Sequence, residues 1–265
     1  MNSASNFIES GISAVYEEED LKLAEQFLAS NLKTIEILLS RDPDNPRLNL
    51  LAAQSFGAFA MAFIEDNDPE RASRFYLRGL KYSFRALPEK KRFNERIIPS
   101  DLEKLLPLYN QKDVPALFWL GYNWGSYILH HLSDPKTLVN LSKVEMIMRR
   151  VLELNEKYNF AGVHLFYGSY YAARPPILGG NPELGRKHFL KNMELNDNKF
   201  LLAKVFYARY YAFQIQDKEL FDQLLKEVLE TDIEKYPEIR LMNEIAKRKA
   251  LKLKKDEDLY WFPED

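Results

Sequence analysis

The heptapeptide FYGSYYA at residues 166–172 recurs as FYARYYA at residues 206–212, at an offset of 40 residues. A related pattern spans Leu120–Trp124, where a bulky residue precedes a small one and an aromatic residue follows one turn later. A small residue on a helix lets a second helix approach closely, and an aromatic side chain one turn on packs into the gap. The sequence therefore predicts repeated pairs of packed α-helices.

The predicted second helices of the pairs have small, apolar or aromatic residues at spacings of four and three. They are Ala72-Tyr76-Gly79, Val144-Met148-Val151, Gly185-Phe189-Asn192 and Phe221-Leu225-Val228. Both patterns are typical of tetratricopeptide (TPR) repeats, although those recur every 34 residues, and here Gly121 to Gly168 is 47 residues and Gly168 to Ala208 is 40. We predict an all-α protein whose TPR-like helix-turn-helix repeats form a compact superhelical array. One domain would span residues 1–265, with an irregular insertion around 88–113.

Local signals place the helix ends. Asx-Pro pairs predict helix starts, because the Asx side chain caps free N–H groups and proline is tolerated at the first helical position; they begin at Asn45, Asp68, Asp134 and Asn181. Ser100 and Glu103 fit a capping box. Predicted helices span residues 20–40, 46–64, 69–87, 101–109, 114–131, 136–157, 160–173, 182–195, 199–215, 218–231 and 237–256.

Composition excludes several classes of function. The net charge of −2 gives no global attraction to nucleic acid, and the absence of cysteine excludes disulfides, thiolate nucleophiles and Cys-ligated metals. The apolar run from Leu48 to Ile64 is interrupted by polar residues, so we expect no membrane span there. Residues 1–5 have neither the basic nor the apolar region of a secretion signal.

No constellation predicts catalysis, a metal or a cofactor. The histidines, which are His130, His131, His164 and His188, include no pair at the i, i+4 spacing that places two ligands on one helix face. Nucleophile-elbow, phosphate-loop and dinucleotide motifs are absent from the sequence. A basic stripe at residues 71, 74, 78, 81 and 85 is either a docking strip for an acidic partner or a solvated helix face.

The inner groove of the predicted array is mainly apolar. By TPR-like packing it is lined at residues 118, 122, 125 and 126, then 165, 169, 172 and 173, then 205, 209, 212 and 213, with Arg209 the one charge. An open groove of this kind suits a hydrophobic ligand. If other helices fill it, the same side chains are core.

The sequence resembles the T component of tripartite ATP-independent periplasmic (TRAP) transporters, the TatT family, from about Ile8 to Leu229. The most specific segments are Phe118–Gly125 and His164–Gly180, and the turn at residues 42–46 and the segment Tyr76–Gly79 agree. The resemblance implies a non-enzymatic accessory subunit in the periplasm that binds the substrate-binding P subunit. It also implies a homotrimer whose protomers each have an apolar pore or cavity for a hydrophobic organic acid. Members of the family have a signal and a lipidated cysteine, and this chain has Met1 where that cysteine would stand, so membrane association through a lipid anchor is expected for the native form only.

Combining the groove with the resemblance gives a predicted set of cavity- or pore-lining residues. They are Phe118, Trp119, Tyr122, Asn123, Trp124, Ser126, Leu165, Ser169, Tyr170, Arg174, Val205 and Arg209. Arg174 or Arg209 would be the counter-ion of an acid, although a structural carboxylate would serve such an arginine equally well. The alternative is a TPR-type protein–protein interaction scaffold with no small ligand. The sequence does not locate the partner-binding surface.

Overall fold

The protein is described here from a computed structural model, which describes residues 15–259 and residue 261. These residues form α-helices, short 3-10 helices and π-helical turns, and no β-strand occurs among them. The prediction of an all-α fold is confirmed.

The chain divides into two compact units. Of the described residues, unit 1 comprises residues 25–158, and unit 2 comprises residues 15–24 and those from 159 onward. The helices of unit 1 are α1 (Leu21–Arg41, in this unit from Glu25), α2 (Pro46–Phe59), α3 (Pro69–Ala86), α4 (Pro99–Leu105), α5 (Val114–Leu129), α6 (Pro135–Leu138) and α7 (Leu141–Asn155). Those of unit 2 are α8 (Tyr158–Ala172, in this unit from Asn159), α9 (Pro182–Leu195), α10 (Leu202–Tyr207), α11 (Lys218–Glu230) and α12 (Arg240–Lys255). A single domain of TPR-like repeats over residues 1–265 stays a prediction.

The predicted Asx caps are present. Each side-chain oxygen accepts a hydrogen bond from a backbone N–H of the first helical turn, at Asn45, Asp68, Asp134 and Asn181. Proline follows each of these residues at the start of the helix, where its missing N–H costs nothing. Local sequence therefore determines these helix starts.

Two local predictions, a helix cap and the continuity of one helix, are wrong. The capping box at Ser100 does not form, because α4 starts at Pro99 with Ile98 as its N-cap and no side-chain cap. A capping box occurs instead at Asn110, whose partner is Asp113. The predicted helix 136–157 is divided into α6 and α7 by a break at residues 139–140.

The predicted insertion around 88–113 contains α4 and 3-10 turns at Glu89–Lys91, Leu106–Leu108 and Gln111–Asp113. Lys91 and Asp113 form an ion pair at 2.7 Å within it. The ammonium group of Lys143, on α7, donates to the backbone carbonyls of Glu95 at 2.6 Å and Ile97 at 3.2 Å. These contacts attach the segment to α7 within unit 1.

Glycines on first helices receive side chains from following helices, as the motifs predict. A Cβ on Gly121 of α5 would collide with Sδ of Met148 on α7 and lie 2.8 Å from its Cγ. A Cβ on Gly168 of α8 would lie 2.6–2.8 Å from three ring atoms of Phe189 on α9. The absence of a Cβ at both glycines leaves room for these close approaches.

The start of α8 is left-handed over three consecutive residues, with φ of 50° at Asn159, 56° at Phe160 and 54° at Ala161. Residues with a Cβ avoid this region, at a cost of about 1–2 kcal/mol each. The side-chain amide of Asn192, on α9, donates to the carbonyls of Phe160 at 2.7 Å and Ala161 at 2.9 Å. The amide of Asn196 also donates to the Phe160 carbonyl at 3.0 Å. Hydrogen bonds from α9 thus hold the turn in place.

By length and composition alone the helical segment Pro46–Ile64 could cross a membrane, so the polar residues in this run do not exclude a span by themselves. Of its 18-residue window, 72% is buried inside the protein. Core helices of soluble proteins pass the same test, so its burial identifies a core helix of unit 1.

Candidate functional site

In unit 1, the predicted lining residues of α5 form an aromatic cluster. Ring centroids lie 5.2 Å apart for Phe118 and Trp119, 5.3 Å for Trp119 and Tyr122, and 6.0 Å for Phe118 and Tyr122. Tyr158 contacts Phe118 edge-on at 5.2 Å. Phe118 is 1% exposed and Trp119 4%, while Tyr122 is half-buried. Two of the three α5 rings are therefore part of the core of unit 1, and Tyr122 is the one that is partly accessible.

The indole N–H of Trp119, one of the rings of this cluster, is an unused donor. Its Nε1 atom is buried and has no hydrogen-bond partner among the residues that the structure describes. An unsatisfied buried donor costs about 1–3 kcal/mol. A bound acceptor would recover that free energy.

A chain of polar side chains extends from Tyr122. Tyr76, on α3, hydrogen-bonds to Tyr122 and donates its hydroxyl to Oε2 of Glu65 at 2.6 Å. Burial raises the pKa of Tyr76 well above its usual value, and the neighbouring Glu65 and Tyr122 raise it further. His130 stacks on the Tyr76 ring with a centroid distance of 5.6 Å. Tyr76 is therefore a neutral hydrogen-bonding group.

Asn123 is fully buried between α2, α3 and α5. Its Nδ2 donates to the carbonyl of Ala53 at 3.0 Å and to Oγ of Ser83 at 3.2 Å. A Cβ on Gly79 would lie 2.6 Å from Oδ1 of Asn123, and one on Gly57 would collide with the same atom. Oδ1 itself has no hydrogen-bond partner among the described residues. The side chain fills a space between helices that these glycines leave open.

The remaining predicted residues of unit 1 are Trp124 and Ser126. Trp124 is 2% exposed and contacts the ring of Phe84 edge-on at 5.4 Å. The Lys143 ammonium lies 5.2 Å from its ring centroid. Ser126 is half-buried near the end of α5. Trp124 thus lies against side chains of α3 and α7.

In unit 2, Arg174 is 7% exposed and bonds to its own loop. Its Nε donates to the carbonyl of Tyr170 at 2.7 Å, and its Nη2 to the carbonyl of Gly179 at 3.2 Å. The guanidinium carbon lies 3.6 Å from the centroid of the Tyr170 ring. These contacts hold the turn that connects α8 to α9.

The other predicted residues of unit 2 differ in burial. Val205 is 1% exposed, whereas Leu165, Ser169 and Arg209 are half-buried. The Arg209 guanidinium lies 5.4 Å from the centroid of its neighbour Tyr210. A cavity lined by the predicted residues of both units stays a prediction.

A histidine pair that the sequence spacing did not predict joins α8 to α9. Nδ1 of His164 lies 2.9 Å from Nδ1 of His188, so one ring donates to the other. The ring of Tyr167 stacks on His188 at 5.0 Å. Burial, and then the proximity of His164, lower the pKa of His188 to about 4. Among the described residues, no group of three or more potential ligands is placed to hold a metal ion.

Comparison with known families identifies the class of protein. The model of the family described as "TRAP transporter T-component" matches residues 17–261. None of the curated proteins matches the chain. The chain therefore belongs to the TRAP transporter T-component family, which gives it an accessory role in a TRAP transport system and a periplasmic or membrane-associated location.

Proposed function

We propose that this T component binds the substrate-binding P subunit of its TRAP system and provides an apolar pore or cavity for a hydrophobic organic acid. The family match over residues 17–261 is the observation that carries the proposal. A non-enzymatic role, a homotrimer and a lipid anchor on the native form belong to the same proposal.

The aromatic cluster of α5 supports a ligand of this class. Phe118, Trp119 and Tyr122 offer apolar rings, and the indole N–H of Trp119 is a donor without a partner among the described residues. A ligand with an aliphatic body and a carboxylate would match both features. We place the carboxylate acceptor at Trp119, because the described contacts of Arg174 already include two backbone carbonyls of its own loop.

The substitution Trp119→Phe tests this assignment, since it removes the N–H and keeps an aromatic ring. A hydrogen bond to a charged acceptor contributes about 1.5–3 kcal/mol, so palmitate should bind roughly tenfold or more weakly by calorimetry. The matched control is Trp261→Phe in unit 2, where the indole N–H is also buried without a partner among the described residues. Equal affinities of the two variants would remove Trp119 from the site.

The alternative is an interaction scaffold with no small ligand. The burial of Phe118, Trp119, Asn123 and Trp124 favours it, because each of them is at most 4% exposed. Native mass spectrometry of the purified protein, with and without added palmitate, separates the two functions. Binding of the P subunit without any retained or added acid would favour the scaffold.

A further inference from the structure

Helix α3 is strongly basic in a chain that is slightly acidic overall. Its sequence PERASRFYLRGLKYSFRA contains a single carboxylate, Glu70, whereas the whole protein has a net charge of −2. The basic residues of the helix are Arg71, Arg74, Arg78, Lys81 and Arg85. Within unit 1, α3 therefore carries an excess of positive charge; in unit 2, α12 is also basic.

The spacing places these cations on one face. They recur at intervals of three and four residues, and with a rise of 1.5 Å per residue the stripe from Arg71 to Arg85 is about 21 Å long. Arg92 extends it, because its Nη2 donates to the carbonyl of Arg85 at 3.1 Å and its Nε to that of Leu87 at 3.3 Å. The α3 basic face comprises these cations and Arg92.

Only part of the face is neutralised within the protein. Arg78 forms an ion pair with Glu36 of α1 and lies 4.4 Å from the Phe56 ring centroid. Arg74, Lys81 and Arg85 are exposed, and none of them has an ion pair with a carboxylate of the described residues. Like charges three and four residues apart destabilise a helix. The free cations therefore oppose folding of α3 in isolation and are available to an external anion.

An acidic protein surface fits this face better than a membrane does. A helix that lies in a membrane interface needs its apolar side free to insert. The apolar side of α3 is inside unit 1, where Ala72, Tyr76 and Leu80 are 0%, 1% and 3% exposed. Arginine, which predominates on the face, binds carboxylates through two parallel hydrogen bonds.

We propose that the α3 basic face docks an acidic surface of a partner protein and, resting on the proposed function, that this partner is the P subunit. Charge complementarity steers the encounter, so association depends on salt. Arg74, Lys81 and Arg85 contact carboxylates of the partner, while Arg78 stays paired with Glu36.

Charge reversal tests the surface. The variant Arg74→Glu/Lys81→Glu/Arg85→Glu is compared with Lys187→Glu/Lys254→Glu/Lys255→Glu, which reverses three exposed cations of unit 2. Affinity for the purified P subunit is measured by calorimetry at low and at physiological salt. The α3 variant should bind at least tenfold more weakly than wild type, and the unit 2 variant within about twofold of it.

Equal binding by the two variants, with wild-type binding intact, overturns the docking surface alone. No binding by the wild-type protein overturns the proposed function and the docking surface together. Loss of binding to anionic phospholipid vesicles in the α3 variant, with P-subunit affinity unchanged, would replace the protein partner by a membrane. Circular dichroism checks folding, and Arg74→Gln/Lys81→Gln/Arg85→Gln repeats the test if the reversed variant is unfolded.

Discussion

The helix pair α5–α7 in unit 1 and the helix pair α8–α9 in unit 2 each have a glycine on the first helix where a side chain of the second helix packs. The side chain that packs against this glycine, its occupant, differs between the two pairs. Gly121 accepts the flexible thioether of Met148, whereas Gly168 accepts the rigid ring of Phe189. Met side chains adapt to irregular space, and a buried phenyl ring does not. One sequence rule thus gives one tolerant and one intolerant helix contact.

The pairs also differ in how a buried asparagine is satisfied. Asn123 uses its amide group but leaves Oδ1 without a partner among the described residues. Asn192 donates to two carbonyls, and its Oδ1 accepts from Asn196 at 3.2 Å. Because both are 0% exposed, unit 2 gains more from its asparagine than unit 1 does from its own.

The largest expected effect is that of an added methyl group at the two glycines. Gly168→Ala should lower the free energy of unfolding by about 2–3 kcal/mol, because the Phe189 ring has no room to move. Gly121→Ala should cost less than about 1 kcal/mol, since Met148 can shift and alanine favours the helix. Urea denaturation measures both values. Equal losses of unfolding free energy in the two variants would mean that Phe189 and Met148 move aside equally easily. The proposed difference between the two helix contacts would then be wrong.

A smaller effect is expected at the asparagines. Asn192→Ala removes two donated hydrogen bonds and should destabilise the protein by about 2 kcal/mol. Asn123→Ala also removes donated bonds but relieves the unpaired Oδ1, so we expect about 1 kcal/mol. Thermal unfolding followed by circular dichroism ranks the variants. The reverse order would show that Asn123 is the more important of the two.

The smallest effect is a pH dependence confined to unit 2. His164 lies four residues before Gly168, and His188 directly precedes Phe189. In unit 1 the corresponding positions, four residues before Gly121 and directly before Met148, are Leu117 and Ile147. The folded pKa of His188 is about 4, below the value of about 6.5 for an unfolded histidine. Between these values the unfolded state takes up a proton that the folded state does not, so stability falls as the pH is lowered.

Because His188 is only half-buried, solvent screening limits this loss to about 1 kcal/mol. Unfolding in urea at pH 7, 5.5 and 4.5 measures it. The variant His188→Gln should lose this part of the slope, and the variant Ile147→Val in unit 1 should keep it. An unchanged slope in His188→Gln would assign the acid sensitivity to other groups.

Sequence predicted the parts of this fold that depend on neighbouring residues. The cap at Asn181 requires only a side chain next to its own helix, and the contact between Gly168 and Phe189 follows from two short motifs. Pro99 overrode the Ser100 pattern, because proline fixes the first helical position one residue earlier. The sequence spacing missed the His164–His188 pair, since its members are 24 residues apart and meet only when α8 and α9 pack. For the candidate site, sequence indicated which residues are aromatic or apolar, but burial of Asn123 depends on glycines of two other helices.

The left-handed start of α8 has a consequence for the order of assembly during synthesis. The backbone at residues 159–161 adopts a left-handed conformation that costs free energy. It is stabilised by hydrogen bonds from the side chains of Asn192 and Asn196, which are synthesised more than 30 residues later. The geometry that fixes where α8 begins is therefore complete only after α9 has left the ribosome. Without those hydrogen bonds the left-handed conformation is unfavourable, so we expect the first turn of α8 to form together with α9 rather than ahead of it.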